Sequence, residues 1–479
     1  MNSLKPLQWV GIALGVSLAL CLVYSHAQRI GDVTFVGGIL LLEVIIACLW
    51  KYDQRFFVLL VIAFAWSGMY VPLEGSWTIG RWVVLSTGAV AGCIVWTKTP
   101  RGPFGSLHLI AFFCICAAFV SSTVSVYIQM ASFKAFSLLL LFLYCATGAR
   151  LAVLGREDRF FRGLLWGSEI AVYITAISYF GLHESIWGNP NSLGAAMSIG
   201  LFPILLWGWF TSDGPRVRFR RLASLLLCTY LVLFSMARAG MASVLLVTLV
   251  FVVCLRQYKL LVKVAALVLL LVAVTGVLAP ETLSERLGGL KDAVLYKGHK
   301  EEGVLGSRRT PWEKSIATIE EHPLFGTGYG TSPLGGDPGL DFGKFSSNAA
   351  TAREHGSSYM TIAEWVGLLG VLPFVALLAV MVSNVWKVFA WMKRTGDPRH
   401  YSIPLAMVVL SGLVHASFED WLFAVGYYLC VYFWVFAFVL ADLVPAAVVA
   451  PVAGVVSRAS PSSPAGFGAV LPNPLVPNR

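Results

Sequence analysis

Arginine and histidine side chains at three separate places in this sequence could act together on an anionic substrate that carries hydroxyl groups. The first place is the pair Arg308 and Arg309, which stands just before a predicted helix start. Free backbone N–H groups point outward at such a start, and two guanidiniums beside them suit a diphosphate. The alternative is a solvated pair, because arginines in a loop are usually exposed.

Arg238 and His355 are the other two candidates. Arg238 stands in a turn of a few residues between two apolar segments. An arginine at a membrane boundary is costly unless it pairs with an anion, although its charged end can also extend to water. His355 lies where a long hydrophilic segment re-enters an apolar one. A neutral imidazole there could take a proton from a sugar hydroxyl near neutral pH, but a single histidine is more often structural.

The composition shows which elements must position these residues. Of the 479 residues, 57% are hydrophobic and 13% are charged. Soluble domains carry about 25% charged residues, so this chain predicts an all-α, polytopic transmembrane bundle that contacts membrane lipids. The net charge of +10 does not indicate nucleic-acid binding, because Lys and Arg lie in short clusters between apolar runs. Nine Cys residues lie in apolar segments without zinc-site spacing, and we expect no disulfide framework, metal or cofactor.

Apolar windows of spanning length recur along the chain and predict about 12 to 14 helices. The uncertainty in number comes from two pairs of windows that are separated by very short turns. The N-terminal segment reads as a retained first helix. The windows cover residues 7–25, 33–50, 56–73, 81–97, 105–125, 131–149, 162–180, 192–210, 221–237, 239–256, 260–279, 364–388, 401–419 and 421–443.

The positive charges orient these windows. With the N-terminus in the cytoplasm, each inner connection carries Lys or Arg, and the strongest cluster lies at 216–221. The short outer connections hold only Arg29, Arg81, Lys134 and Arg238. The candidate groups then converge on the outer side, together with possible substrate contacts at Asn189, Asn191, Trp312, Tyr359 and His415. Glu43 and Glu169 are intramembrane acids that either mark a proton path or satisfy a polar group of a neighbouring helix.

Four regions follow from this arrangement. They are N-terminal transmembrane helices (1–279), a large outer loop carrying short helices (280–356), C-terminal transmembrane helices (357–443), and a disordered Pro/Ala/Ser-rich cytoplasmic tail (444–479). Within the loop, Thr310, Pro311 and Glu313 predict an N-cap, a first helical position and a capping box, with a helix to about Glu321. The following HPLFGTGYG run is a glycine-rich turn, and on this basis alone a phosphate cradle is a weak inference.

Four segments, in this order, resemble the superfamily of O-antigen ligases and O-antigen polymerases, which are bacterial envelope glycosyltransferases. They read GNPNSLGAAMSIGLFP, SMARAGMAS, GSRRTPWEKSIATIEEHPLFGTGYGT and HGSSYMTIAEWVGLLGVLPF. The resemblance covers about 188–375 in sequence and extends to about 443 in architecture. Two features depart from the family pattern, namely Gly356 after the histidine and two apparent extra N-terminal helices.

The resemblance implies metal-independent transfer of a glycan from an undecaprenyl-diphosphate carrier to an acceptor hydroxyl. It places the reaction on the periplasmic face of the bacterial inner membrane. His355 then corresponds to the family's catalytic histidine. Arg238 and Arg308, four residues before Trp312, correspond to its diphosphate-binding arginines, and we add Arg309 to that group.

Three functions stay open at this point. A ligase would use a lipid A-core acceptor, and this is the function we favour. A polymerase of O-antigen or exopolysaccharide repeat units would use a second lipid-linked glycan. A transporter or flippase of the same lipid-linked sugar would instead predict polar residues near mid-membrane and repeated, interrupted helices.

Overall fold

A computed structural model describes residues 44–69, 74–183, 186–259, 306–332 and 355–445, together with Leu42 and Val262. Several predicted features lie outside these residues. They are the window 7–25, most of 33–50 and of 260–279, the loop residues 280–305 and 333–354, Glu43, and the tail beyond 445.

Every regular element in the described ranges that is longer than a turn is helical, and these ranges contain no strand, so the all-α prediction is confirmed. We number the helices in chain order. They are α1 (Tyr52–Ser67), α2 (Glu74–Lys98), α3 (Ser106–Thr123), α4 (Ile128–Val153), α5 (Glu157–Gly181), α6 (Pro190–Phe210), α7 (Pro215–Phe234), α8 (Arg238–Cys254), α9 (Gly306–Glu321), α10 (Ser358–Thr395), α11 (Ser402–Ala416) and α12 (Tyr428–Leu443). Helices α4, α5 and α6 each include a π-helical segment, at Cys145–Ala149, Ile177–Gly181 and Ala196–Leu201.

The bundle has the lengths and surface that a membrane requires. Among the described residues, six helices are long and apolar enough to cross a membrane, and four shorter helices are also apolar. Helix α6 is central, since 83% of its apolar window is buried inside the protein, whereas only 28% of the window in α10 is buried. The remaining apolar surface of α10, including Leu372 and Trp386, is exposed and suits contact with lipid. The chain is a multi-pass membrane protein.

Helix α10 is broken near its start, and the glycine-rich run fills the break. Gly367 has φ +66° and interrupts the helical backbone. The freed carbonyls of Glu364 and Trp365 accept hydrogen bonds from the backbone N–H groups of Thr327 (3.0 Å) and Gly328 (3.1 Å). Beyond the break, Leu368 N–H donates to the Pro323 carbonyl at 2.8 Å. The HPLFGTGYG run therefore satisfies backbone groups that a membrane could not.

The predicted start of α9 is wrong. The helix already includes Gly306, so Thr310 is not its N-cap and Pro311 lies inside it. Glu313 forms an ion pair with Arg309 at 2.8 Å, one turn earlier, instead of closing a capping box. A proline this close to a helix start removes a single hydrogen bond, and the Arg309–Glu313 pair helps to support the additional turn. The predicted end at Glu321 is confirmed.

The last predicted window also begins too early. Residues 421–427 are not helical, and α12 starts at Tyr428. The turn is apolar because it is buried. Trp421, Leu422 and Phe423 are each 5% exposed or less, and the Trp434 Nε1–H donates to the Leu422 carbonyl at 2.7 Å. Burial rather than helical structure accounts for the hydrophobicity of this stretch.

Candidate functional site

The start of α10 is attached to the connection between α11 and α12. The Ser358 N–H and hydroxyl both donate to the Glu419 carbonyl, at 3.0 and 2.6 Å. The Leu422 N–H in turn donates to the Ser358 hydroxyl at 3.1 Å. These bonds fix His355, three residues before Ser358, against residues 419–422. Two segments that are about 60 residues apart in sequence thus form one surface at one end of the bundle.

The imidazole of His355 lies between two carboxylates. Its Nδ1 is 3.2 Å from Oδ2 of Asp420, and its Nε2 is 3.3 Å from Oε1 of Glu364. The backbone N–H of His355 donates to the same Asp420 oxygen at 3.1 Å. His355 is 2% exposed and Glu364 is fully buried, and the Trp365 ring meets the imidazole edge to face at 5.9 Å. Ring and backbone contacts together hold the histidine in one orientation.

The two carboxylates decide the charge of the imidazole. Burial by itself would lower the pKa of His355, but the hydrogen bonds and negative charges of Asp420 and Glu364 outweigh it and raise the pKa above its ordinary value. Burial would likewise raise the pKa of Asp420, and the hydrogen bonds from the His355 ring and backbone lower it. When the imidazole is neutral, Asp420 holds the proton on Nδ1 and leaves Nε2 as the proton acceptor.

Helix α9 brings Arg308 to the residue next to His355. Arg308 Nη2 is 2.5 Å from Oε1 of Glu419, and the Trp312 indole N–H donates to the Gly356 carbonyl at 3.2 Å. Gly356 has φ +68°, and a Cβ at this position would lie 3.1 Å from Cδ of Arg308. A glycine follows the histidine here because the backbone is left-handed and the arginine packs directly against it.

Arg238 is the first residue of α8 and is half-buried. Arg308 lies close enough to Arg238 for the positive charges of the two guanidiniums to repel each other. Its positive charge also acts on the His415 side chain. Like charges held near each other at a membrane boundary favour an anion between or beside them. The structure therefore brings Arg238, Arg308 and His355, which lie far apart in sequence, to one end of the bundle.

A family model described as O-antigen ligase matches residues 223–375. This match covers most of the segment that carries the resemblance, and it supports membership of the O-antigen ligase superfamily. The match runs from α7 to the middle of α10 and so includes the two arginines, His355 and Glu364. A search of curated proteins found no match. The match supports an O-antigen ligase or polymerase type of function that is glycosyltransferase-like. Together with the membrane-spanning helices, it supports a role in lipopolysaccharide biosynthesis.

The other residues that the sequence predicted for the site differ in whether they contact the group around His355 and Arg308. Trp312 and His415 are close to Arg308 and its neighbours, and the buried His415 accepts a hydrogen bond from the Trp421 indole at 3.0 Å. The Tyr359 hydroxyl donates to the Leu413 carbonyl at 2.7 Å. Arg309 is separated from the group, since its side chain is 76% exposed and pairs with Glu313.

Asn189 has a structural role in the conformation observed. The Asn189 side chain accepts from Ser192 N–H at 2.8 Å and caps α6, with Pro190 at the first helical position. Asn191 is half-buried one residue later. This is the arrangement expected of an N-cap followed by proline.

Sequence reasoning assigned no role to the three acids of the site, Glu364, Glu419 and Asp420. A usable signal existed for Glu364, because it is an acid inside an apolar helix, as Glu169 is. Glu169 pairs with Arg220 of α7 at 2.8 Å, so it satisfies a polar group of a neighbouring helix. For Asp420, nothing in its local sequence indicates the histidine 65 positions earlier.

Proposed function

We propose that this protein transfers a glycan from an undecaprenyl-diphosphate carrier to a sugar hydroxyl of a lipid A-core acceptor, at the periplasmic face of the bacterial inner membrane. The observation that carries the proposal is the His355–Asp420 pair beside Arg308, with Arg238 close to that arginine. A proton acceptor and a pair of guanidiniums are the two groups that this transfer requires.

The guanidiniums bind the diphosphate of the donor. When the bond between the sugar and the diphosphate breaks, negative charge grows on the leaving oxygen, and preorganised positive groups stabilise it. Arg308 presents a planar donor fork that matches phosphate oxygens. In the conformation described here this fork contacts Glu419, so the diphosphate takes the place of a carboxylate that is already bound.

His355 activates the acceptor. Its neutral Nε2 takes the hydroxyl proton as the acceptor oxygen bonds to the anomeric carbon, while the bond from that carbon to the diphosphate breaks. Asp420 holds Nδ1–H and stabilises the imidazolium that forms. A single displacement inverts the anomeric centre, and the step as written requires no metal ion.

Reconstitution of the purified full-length protein tests this proposal. The protein is mixed with an undecaprenyl-diphosphate-linked glycan and lipid A-core, and the products are separated by gel and mass spectrometry. We expect a new glycan–core bond that is absent with His355→Ala, although that variant folds. Normal transfer by His355→Ala would remove His355 from the mechanism. A lengthened carrier-linked glycan would identify a polymerase, and movement of the donor without a new bond would identify a transporter.

A further inference from the structure

The carboxylate of Glu364 faces the atom of His355 that the proposed mechanism uses as base. Its Oε1 is 3.3 Å from Nε2, on the side of the ring opposite to Asp420. The Ser332 hydroxyl lies 3.5 Å from the same carboxylate oxygen. Asp420 alone is sufficient to set the tautomer of the imidazole, so a second carboxylate on Nε2 requires a separate explanation.

The fold does not supply that explanation. At the break in α10, Glu364 takes part through its backbone carbonyl, which accepts from Thr327 N–H. A glutamine at this position would retain that bond. Glu364 is fully buried, and burying a carboxylate in an apolar helix is unfavourable unless a partner offsets the lost hydration. Glu364 is buried at a position in α10 where its carboxylate reaches the histidine.

We propose, on the basis of the function proposed above, that Glu364 is a positioning residue that accepts a hydrogen bond from Nε2 of His355 after the imidazole has taken the acceptor's proton. In this step the acceptor O–H bond breaks and an N–H bond forms at Nε2. The new N–H is then shared with Oε1 of Glu364, which already lies 3.3 Å from Nε2, so the ring does not move. The proton passes to water when the product leaves, which restores the neutral base.

This arrangement fixes the pH range of the enzyme. Among the described residues, the charged groups that face the imidazole are Asp420 and Glu364, and the Arg308–Glu419 ion pair lies beyond Gly356. Both facing carboxylates favour the imidazolium, so activity rises with pH only as this protonated form is lost. Removal of one carboxylate makes the imidazole a weaker base and shifts the acidic limb of the rate profile to lower pH.

The test compares Glu364→Gln with Glu313→Gln in the reconstituted full-length protein, across about pH 5 to 9. Glu313 provides a matched control because it loses the same charge at a side chain that is 60% exposed and pairs with Arg309. For Glu364→Gln we expect the acidic midpoint to fall by about one pH unit and the plateau rate to fall roughly tenfold. The control should keep the wild-type midpoint and plateau. A purely structural role would lower the yield or the melting temperature and leave the midpoint unchanged.

The outcomes separate this inference from the function on which it rests. An active Glu364→Gln with the wild-type midpoint, alongside an inactive His355→Ala, refutes the role of Glu364 alone. Transfer by His355→Ala refutes the proposed function itself. If Glu364→Gln does not fold, Glu364→Asp takes its place, because it keeps the charge but moves it away from Nε2. We expect Glu364→Asp to lower the plateau several-fold and to shift the midpoint in the same direction, and a wild-type profile would overturn the proposal.

Discussion

Exchanging Arg308 for lysine tests the geometry of the site more sharply than removing it. Lysine keeps the positive charge beside Gly356 and Glu419 but replaces a planar fork with a single ammonium group. The sequence also provides a matched control at the next position. Arg309→Lys is the same change on the same helix, at a side chain that is 76% exposed and contacts Glu313. Arg308 is only 12% exposed and packs against the residue that follows His355.

The expected magnitude follows from the loss of one hydrogen bond to a charged oxygen. Such a bond contributes about 1.5–3 kcal/mol when it is partly shielded from water. Since about 1.4 kcal/mol corresponds to a factor of ten, kcat/KM for the lipid-linked donor should fall roughly ten- to a hundredfold in Arg308→Lys. In Arg309→Lys it should change less than about twofold, because exposed ion pairs contribute about 0–1 kcal/mol.

The assay measures initial rates of glycan transfer against donor concentration, in proteoliposomes that contain equal amounts of folded protein. Melting temperatures in detergent establish that both variants are folded. Equal losses in the two variants would indicate that the charge of α9 matters rather than the contact made by Arg308. An unchanged Arg308→Lys would remove this residue from diphosphate binding.

Three further predictions address the histidine pair, the helix break and the proposed independence from metal. Asp420→Asn should lower the pKa of His355, because a negative charge that favours the imidazolium is lost. The acidic limb of the rate profile then moves to lower pH and the plateau rate falls at least tenfold. The control Asp213→Asn, at an exposed side chain, should change neither the acidic limb nor the plateau. Gly367→Ala should lower the melting temperature by several degrees, since a left-handed φ costs about 1–2 kcal/mol and the new Cβ would lie 2.5 Å from the Leu324 backbone; an unchanged melting temperature would contradict the described break. Transfer should persist after dialysis against a chelator, and its recovery only on adding a divalent cation would contradict the mechanism as written.

The sequence predicted the helices well because a bilayer imposes a simple requirement. Each predicted window within the described ranges overlaps a helix, since a spanning segment must be apolar and must satisfy its own backbone groups. The errors in the predicted helix bounds lie where contacts inside the protein, rather than the bilayer, determine the structure. Residues 421–427 are apolar because they fill the interior. The first turn of α9 accommodates Pro311 and is supported by the Arg309–Glu313 pair.

The site was predictable only in part for a related reason. Arg238, Arg308 and His355 stand out because charged groups at the ends of apolar segments are conspicuous. Their partners do not, since Asp420 and Glu419 resemble ordinary polar residues of a short connection. What makes them functional is the attachment of Ser358 to the Glu419 carbonyl, which is a contact across about 60 residues of sequence. Glycine at 356 appeared as a departure from the family pattern, and its positive φ explains why it stands there.

Glu419 acts through two separate groups, and this separation leads to a prediction of unusual sign. Its backbone carbonyl accepts a hydrogen bond from Ser358, while its carboxylate forms an ion pair with Arg308. Glu419→Gln would leave the first contact intact and remove a negative charge that competes with the diphosphate for the guanidinium. We therefore expect the donor KM to fall roughly two- to tenfold, with kcat retained or lowered. Most changes at a site weaken binding, so a gain would be specific to displacement of a carboxylate by the donor.

Glu313→Gln is again the matched control, since it frees Arg309 in the same way, and its KM should stay at the wild-type value. A higher donor KM in Glu419→Gln would mean that the carboxylate orients Arg308 for the diphosphate instead of competing with it. The described pair would then be part of the donor-bound state, and Arg238 would have to supply the contact that the diphosphate lacks.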